Sequence, residues 1–178
     1  MLTKFMGKIM LNRKFFKRVE SIYNNQEELQ LSPEQRRLTE TTYKTMKRNG
    51  AGLNPLKKLR LIALQMRLSK LNLKFNENIL AETNAYFLHL KNETDLAGLP
   101  ETAVETAAAT AKSKGLDGWV FTLHFPSYSP FMKYSDVRQH RETLYKAYMS
   151  RGNQGNKNDN NSLIVKIVNL RLKQAKML

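Results

Sequence analysis

The sequence predicts a mainly α protein, a helical bundle with a long central helix and a small two-strand element. Three observations predict this fold. Residues that cap helices stand before several apolar segments, beginning with Asn12, Ser32 and Asn54. Apolar residues from Leu61 to Phe75 recur at alternating spacings of three and four, which is typical of a helix. Two short apolar runs, 85–90 and 119–125, are instead typical of paired strands.

The helix starts of the first half are marked by polar caps and prolines. Asn12 is expected to cap a helix that runs to about Leu29. Ser32-Pro33-Glu34-Gln35 combines an N-cap, a first-turn proline and a capping-box glutamine, which predicts a second helix that stops near Gly50. Asn54-Pro55 repeats this pattern and is expected to open the long helix.

The long helix carries two apolar stripes on different faces. The first stripe is Leu61, Leu64, Leu68, Leu71 and Phe75, and the second is Leu59, Ile62, Met66, Leu73 and Leu80. A helix that is apolar on two faces needs neighbours on two sides, so the pattern predicts partners that this chain does not supply. A coiled-coil dimer is the alternative, although a zipper normally keeps a polar outer face.

The second half of the chain is predicted to build the strand pair and three further helices. Pro100 opens a helix rich in Ala and Thr that runs to about Lys114, between the two strand segments. Asp136 is expected to cap the next helix, which stops by Gly152, and the Gly- and Asn-rich run 152–161 is predicted to be a loop. Ser162 is expected to cap a last helix, inside which the chain ends without a stop signal.

Composition limits the classes of protein that fit. The chain has 178 residues and a formal net charge of +15, and residues 1–74 hold 17 Lys and Arg against 5 Asp and Glu. Such a basic region attracts nucleic acid or anionic membranes, but it is also typical of solvated helix faces. Cys is absent, which excludes disulfides and thiolate ligands and permits a reducing compartment. Because no segment is long and apolar enough to span a bilayer, a cytoplasmic protein without membrane contact is expected.

The sequence offers no complete catalytic motif. A His-Glu-x-x-His pair, which places two imidazoles on one metal, does not occur among His89, His124 and His140. His89 and Glu93 make one ligand pair at best, and His140 is expected to face solvent. The chain also has no G-x-S-x-G nucleophile and no phosphate-binding loop. No catalytic residue and no metal ligand are therefore predicted within it.

The run 118–134, GWVFTLHFPSYSPFMKY, interrupts the helical pattern with a strand-like alternation, two prolines and several aromatics. It resembles the strand and Pro-Ser-Tyr-x-Pro-x-Met turn of zinc peptidases of the thimet oligopeptidase and peptidyl-dipeptidase Dcp family. Further blocks resemble that family in the same order along the chain: 11–19, 73–80 with 83–84, 96–101, 141–151 and 169–171. The resemblance therefore covers almost the whole sequence.

The resemblance implies that residues 1–178 form a partial helical domain, truncated at both ends, of a larger peptidase with a central channel. In that family zinc is held by a His-Glu-x-x-His motif and a later Glu in the carboxyl-terminal part, and this chain has neither. The implied chain walls the channel, binds no zinc itself, is inactive alone, and needs the missing catalytic part to hydrolyse short peptides. Tyr128, Phe131 and Tyr134 are candidate channel-wall residues, with core packing as the alternative for each. A basic module, which binds nucleic acid or has a structural role, is the alternative function, although nucleic acid is not the expected partner.

Overall fold

A computed structural model of the chain describes residue 5 and residues 9–178. The described elements, in chain order, are α1 (Arg13–Asn24), α2 (Pro33–Arg48), α3 (Pro55–Ala85), β1 (Phe87–Leu90), a 3₁₀ turn (Glu93–Leu96), α4 (Glu101–Ser113), β2 (Trp119–Thr122), α5 (Phe125–Tyr134), α6 (Arg138–Met149) and α7 (Asn161–Ala175). The mainly α prediction is confirmed. None of the described helices has both the length and the apolar content that crossing a bilayer requires.

The three helix starts predicted in the first half of the chain are confirmed by their caps. The Asn12 side chain accepts a hydrogen bond from the Phe15 N–H at 3.0 Å, and Ser32 and Gln35 form the predicted capping box. Asn54 caps α3 by accepting from the Lys57 N–H at 2.9 Å. The predicted end of α1 near Leu29 is wrong, because α1 ends at Asn24.

The two strands form one antiparallel pair in which Leu88 lies opposite Phe121 and His89 lies opposite Val120. This confirms that the segments 85–90 and 119–125 pair as predicted, although the first strand begins only at Phe87 because α3 continues to Ala85. The second strand stops at Thr122 rather than at Phe125, because the chain turns into α5. The sheet has only these two strands within the described part of the chain.

The two apolar stripes of α3 differ in burial. Leu61 and Leu68 of the first stripe are buried, whereas most of the second stripe is exposed: Leu59, Met66, Leu73 and Leu80. The second face of α3 is therefore largely uncovered in the described chain, as the two-stripe pattern predicted.

The chain divides into two compact units that differ in net charge. We call residues 1–73 and 164–178 the basic unit and residues 74–163 the neutral unit. The basic unit has 20 Lys and Arg against 5 Asp and Glu, and the neutral unit has 10 of each. The whole net charge of +15 thus belongs to the basic unit, including four basic residues of the carboxyl-terminal helix and tail.

Each unit has its own apolar cluster. In the basic unit, Phe16, Val19, Met46 and Ala51 are buried together, and the Tyr43 ring stacks on Phe16 with centroids 5.8 Å apart. In the neutral unit, the buried cluster joins the sheet to three helices through Leu90, Ala107, Phe121, Leu123, Phe131 and Leu144. This second cluster fixes the position of α5, which carries the aromatics selected from the sequence.

Candidate functional site

The aromatic segment after β2 forms helix α5. The prediction that the strand runs to Phe125 and is followed by a turn is wrong. Pro126 lies in the first turn of α5, where a missing N–H costs nothing and the fixed φ of proline suits a helix. The Ser127 hydroxyl accepts a hydrogen bond from the Thr122 N–H at 2.9 Å. This bond joins the end of β2 to the first turn of α5 and sets the direction in which the helix leaves the sheet.

The helix sends the three candidate wall residues into three different environments. Phe131 is fully buried and meets Phe121 edge to face, with centroids 4.5 Å apart and planes at 61°. Tyr128 is half-buried, and Tyr134 is 44% exposed. Only Tyr128 and Tyr134 therefore have ring surface that a molecule in solution can reach in this chain.

Tyr128 is the first member of a layered stack of two rings and a guanidinium group. Its ring stacks on the Tyr148 ring with centroids 4.0 Å apart. The Arg151 guanidinium lies 3.6 Å from the centroid of the Tyr148 ring. Arg151 also donates hydrogen bonds to the Tyr148 carbonyl at 2.9 Å and to the Thr83 hydroxyl at 2.7 Å. Burial raises the pKa of the Tyr128 phenol, so the hydroxyl stays protonated at neutral pH.

Tyr134 lies at the exposed end of α5, which is fixed by the turn before α4. The Lys133 ammonium lies 4.8 Å from the Tyr134 ring centroid, and its interaction with Tyr134 raises the pKa of Lys133. The Asp136 N–H donates to the Ala97 carbonyl at 2.8 Å. Gly98 has φ +81°, and a Cβ there would lie 2.3 Å from the Tyr134 carbonyl oxygen. This close approach requires glycine and brings together two sequence blocks, 96–101 and 118–134.

A groove of about 430 Å³ runs beside Tyr134 and is lined by α4 and α5. Its walls combine proline and alanine side chains with the hydroxyls of Thr102, Thr106 and Ser127. No charged side chain lines it within the described part of the chain. Such a surface suits an uncharged extended segment better than an ion, and it offers no carboxylate or imidazole for acid–base chemistry.

The three histidines lie in different surroundings. The His89 ring nitrogen contacts the Asp117 carbonyl, and His124 is exposed at the start of α5. The expectation that His140 faces solvent is wrong, because it is half-buried with its Nε2 atom 3.1 Å from an Asp95 carboxylate oxygen. Among residues 5 and 9–178, no three His, Cys, Asp or Glu side chains gather closely enough to hold a metal ion. The residues described therefore do not fit a zinc site.

Sequence reasoning missed a buried polar network under the 152–161 loop. The Glu82 carboxylate accepts hydrogen bonds from the Gly152 N–H at 2.5 Å and from the Asn156 side chain at 2.8 Å. The Asn78 side-chain amide donates to Asn160 at 2.9 Å, and Asn160 donates to the Phe75 carbonyl at 3.1 Å. The available signal was the pair of polar residues, Asn78 and Glu82, four apart in a leucine-rich helix.

The same reasoning missed Tyr148 and Arg151 as partners of Tyr128. Tyr148 lies in the last turn of α6 and Arg151 follows just after the helix ends at Met149, so their spacing of three was a signal that they lie close together. No spacing rule indicates that this pair meets α5, because that contact depends on the tertiary fold.

Comparison with known proteins finds relatives that are all peptidases by name. No model of a known protein family matches the chain. The chain is 37% identical over 162 residues to oligopeptidase A of Haemophilus influenzae, a match that covers 89% of the chain and 24% of the relative. It is 34% identical to oligopeptidase A of Escherichia coli K12, covering 83% and 22%. It is 30% identical to the dipeptidyl carboxypeptidase of E. coli K12, covering 99% and 26%. The chain thus spans about a quarter of the length of the curated relatives it matches.

Proposed function

We propose that this chain, which belongs to the family of oligopeptidase A and dipeptidyl carboxypeptidase, contributes to a peptide-hydrolysing enzyme. The observation that supports this is the similarity, which extends over 83% to 99% of the chain in those relatives. The chain's proposed role is to wall the path along which short peptides reach a catalytic centre. On this proposal, residues outside the chain carry out bond cleavage, and the chain alone is inactive.

The uncharged groove beside Tyr134 supports the wall role. An extended peptide presents backbone amides and mostly neutral side chains, which match hydroxyls and apolar rings better than fixed charges. Tyr134 and the accessible face of Tyr128 are the side chains proposed to contact the peptide. Phe131 would act by holding α5 on the sheet, since its ring is fully buried.

Zinc is the metal that the family resemblance implies, and in such enzymes it polarises the scissile carbonyl and activates water. The described residues of this chain do not fit a zinc site, so we assign no step through the metal to them. A cytoplasmic location is proposed on the absence of Cys, which permits a reducing compartment. Fractionation of source cells tests that location.

A chimera tests the function directly. We would replace the matched quarter of H. influenzae oligopeptidase A with this chain and follow cleavage of an internally quenched short peptide. The chimera is expected to hydrolyse the peptide, whereas the 178-residue chain alone, with or without added zinc, is expected to be inactive. A folded chimera without activity, or turnover by the chain alone, would contradict the proposal.

Two surface variants in the chimera test the wall residues. Tyr134→Ala is expected to raise KM about threefold to tenfold with little change in thermal stability, because it removes ring surface that the peptide contacts. Tyr145→Ala is the matched control, since Tyr145 is 49% exposed on α6 and lies outside the groove. Equal KM values for the two variants would remove Tyr134 from the peptide path.

The charge of the basic unit supports a second candidate function, binding of nucleic acid. Clustered Lys and Arg release counterions from a phosphate backbone, which makes binding steeply dependent on salt. Retention of the chain on heparin or duplex DNA, falling sharply between 50 and 200 mM salt as roughly expected for several phosphate contacts, would favour this function. A shallow salt dependence would exclude it.

A further inference from the structure

A cavity of about 570 Å³ in the basic unit lies between the start of α1 and the turn that leads into α3. Arg13, Lys17 and Lys58 line it, and Glu20 is the only acidic residue among its described lining residues. None of the three cations forms an ion pair with a carboxylate in the described part of the chain. The described lining of the cavity therefore carries three basic side chains against one acidic side chain and has a net positive charge.

Lys58 shows how this charge is arranged. Its ammonium group donates a hydrogen bond to the Leu11 carbonyl at 3.0 Å, which holds it at the cavity wall beside the start of α1. Burial, and then the nearby Arg13 guanidinium, lowers the pKa of Lys58. Two cations that face one cavity repel each other, and an anion between them would relieve that repulsion.

The remaining walls are apolar. Leu11 and Ala51 are buried, the Phe16 ring is 6% exposed, and all three belong to the cavity lining with Leu53. Pockets of this volume typically hold small organic ligands rather than bare ions. The apolar side of the cavity accordingly matches a hydrocarbon group attached to the anion.

We propose that this cavity binds a small organic oxyanion, a carboxylate or phosphate ester that carries an apolar group. Arg13, Lys17 and Lys58 contact the oxygen atoms, because charge-assisted hydrogen bonds favour oxyanions over neutral groups. Leu11, Phe16 and Leu53 contact the apolar group. The site uses no residue of the groove beside Tyr134, so its test is independent of the proposed peptidase role.

The eight glycines of the chain provide a site-specific readout. Protein labelled with [¹⁵N]glycine gives few amide signals, and Gly52 lines the cavity. The Gly52 signal is assigned by its loss in Gly52→Ala. Gly115 and Gly155 are internal controls, since they lie in the neutral unit with no atom near their Cβ positions.

Four probes separate charge from shape: phenyl phosphate, phenylacetate, inorganic phosphate and benzylammonium. Phenyl phosphate or phenylacetate is expected to shift the Gly52 signal in a saturable way, and the tighter of the two identifies the anionic group. Benzylammonium has a similar apolar group and the opposite charge, so it is expected not to bind. Binding of benzylammonium as tight as that of the anions, or of inorganic phosphate as tight as that of phenyl phosphate, would overturn the proposal. No saturable Gly52 shift would also overturn it.

Variants connect the shift to the cations. Arg13→Gln and Lys17→Gln are each expected to weaken binding about fivefold, as roughly expected for one partly exposed charged contact. Arg36→Gln is the matched control, because Arg36 is exposed on α2 away from the cavity. Both Arg13 and Lys17 are exposed, so these substitutions should preserve the helical circular dichroism spectrum. If binding by folded Lys17→Gln and Arg13→Gln equals that of Arg36→Gln, the assignment is wrong.

Discussion

The basic and neutral units differ in how far their charges are balanced and in how many of their apolar side chains are exposed. The neutral unit balances its charges and exposes six of the 21 large apolar side chains recorded as exposed among the described residues. The basic unit carries the whole net charge of +15 and exposes the other 15. Uncompensated charge and uncovered apolar surface therefore occur in the same unit. This difference indicates that the neutral unit buries and pairs more of its own side chains, and five comparisons of variants or conditions test it.

The largest effect is expected at the centre of the neutral unit. Phe131→Ala should lower the free energy of unfolding by about 3–5 kcal/mol, because it removes a fully buried ring. Phe125→Ala, in the same helix but 71% exposed, should change it by less than about 0.5 kcal/mol. Denaturant unfolding followed by the fluorescence of Trp119, the single tryptophan, measures both. Equal effects would show that this cluster is not the stabilising core.

Trp119 fluorescence also tests whether the two units unfold separately, when a residue of the basic unit is replaced. Met46→Ala removes a buried side chain of the basic unit, at an expected cost of about 2–5 kcal/mol. If the units unfold separately, Met46→Ala will shift the circular dichroism transition and leave the Trp119 transition unchanged. Coincident shifts of both signals would indicate one cooperative unit instead.

A backbone test comes next, at the turn that holds the end of α5. Gly98→Ala and Gly115→Ala both place alanine at a positive φ, +81° and +68°, which costs about 1–2 kcal/mol each. Only Gly98→Ala also forces a Cβ against a backbone oxygen, which should lower the free energy of unfolding by about a further 1–3 kcal/mol. Thermal unfolding of the pair measures the difference. If the two variants are equally stable, the close approach at Gly98 is not a constraint.

Glu82 tests the buried polar network of the neutral unit. Glu82→Ala leaves the buried Gly152 N–H without its acceptor, so the free energy of unfolding should fall by about 1–3 kcal/mol. Glu82→Gln keeps one acceptor oxygen and should lose less. Glu77→Ala is the control, because Glu77 is exposed on the same helix. Chemical denaturation should show the largest loss of stability for Glu82→Ala, a smaller loss for Glu82→Gln and the smallest for Glu77→Ala. Unchanged stability of Glu82→Ala would contradict the role of the network.

The smallest effect is a pH dependence in the same loop. Hydrogen bonds from the backbone N–H groups of Asn161 and Gly155 hold the pKa of Asp159 below its ordinary value. The folded chain therefore binds this proton less readily than the unfolded chain, so the stabilisation is full above the ordinary pKa. It is lost as the pH falls through the lowered folded value. Asp159→Asn should show a shallower loss of stability in acid, and an unchanged acid transition would contradict this.

The sequence predicted the starts of α1, α2 and α3 because caps are local. Asn12, Ser32 with Gln35, and Asn54 each form their predicted hydrogen bond within three residues along the chain. The end of α1 was missed. Asn25 is the C-cap of α1, where the backbone N–H makes a helical bond to the Ser21 carbonyl and the side chain donates to the same oxygen. Asparagine occurs both inside helices and at their ends, so the residue type alone did not indicate where α1 ends.

Other errors arose where distant contacts decide local structure. Asp136 was expected to cap α6, but its N–H bonds the Ala97 carbonyl and α6 begins two residues later at Arg138. Ser162 was expected to cap α7, but α7 begins at Asn161, after Asn160 is drawn inward to Asn78. For the candidate site, sequence identified the aromatic segment, and the structure separates buried Phe131 from exposed Tyr134. Whether these residues wall a peptide channel stays a prediction.

The hydrogen bonds beneath the 152–161 loop affect how slowly its backbone should exchange with deuterium. A run rich in glycine and asparagine ordinarily exchanges its amide protons quickly and tolerates inserted sequence. Here the Gly152 N–H is held by buried Glu82, and the Asn160 N–H donates to the Gly152 carbonyl at 2.7 Å. These two amides should therefore be among the slowly exchanging ones. By the same reasoning, a tag or reporter inserted here would disturb the neutral unit more than the loop's composition indicates.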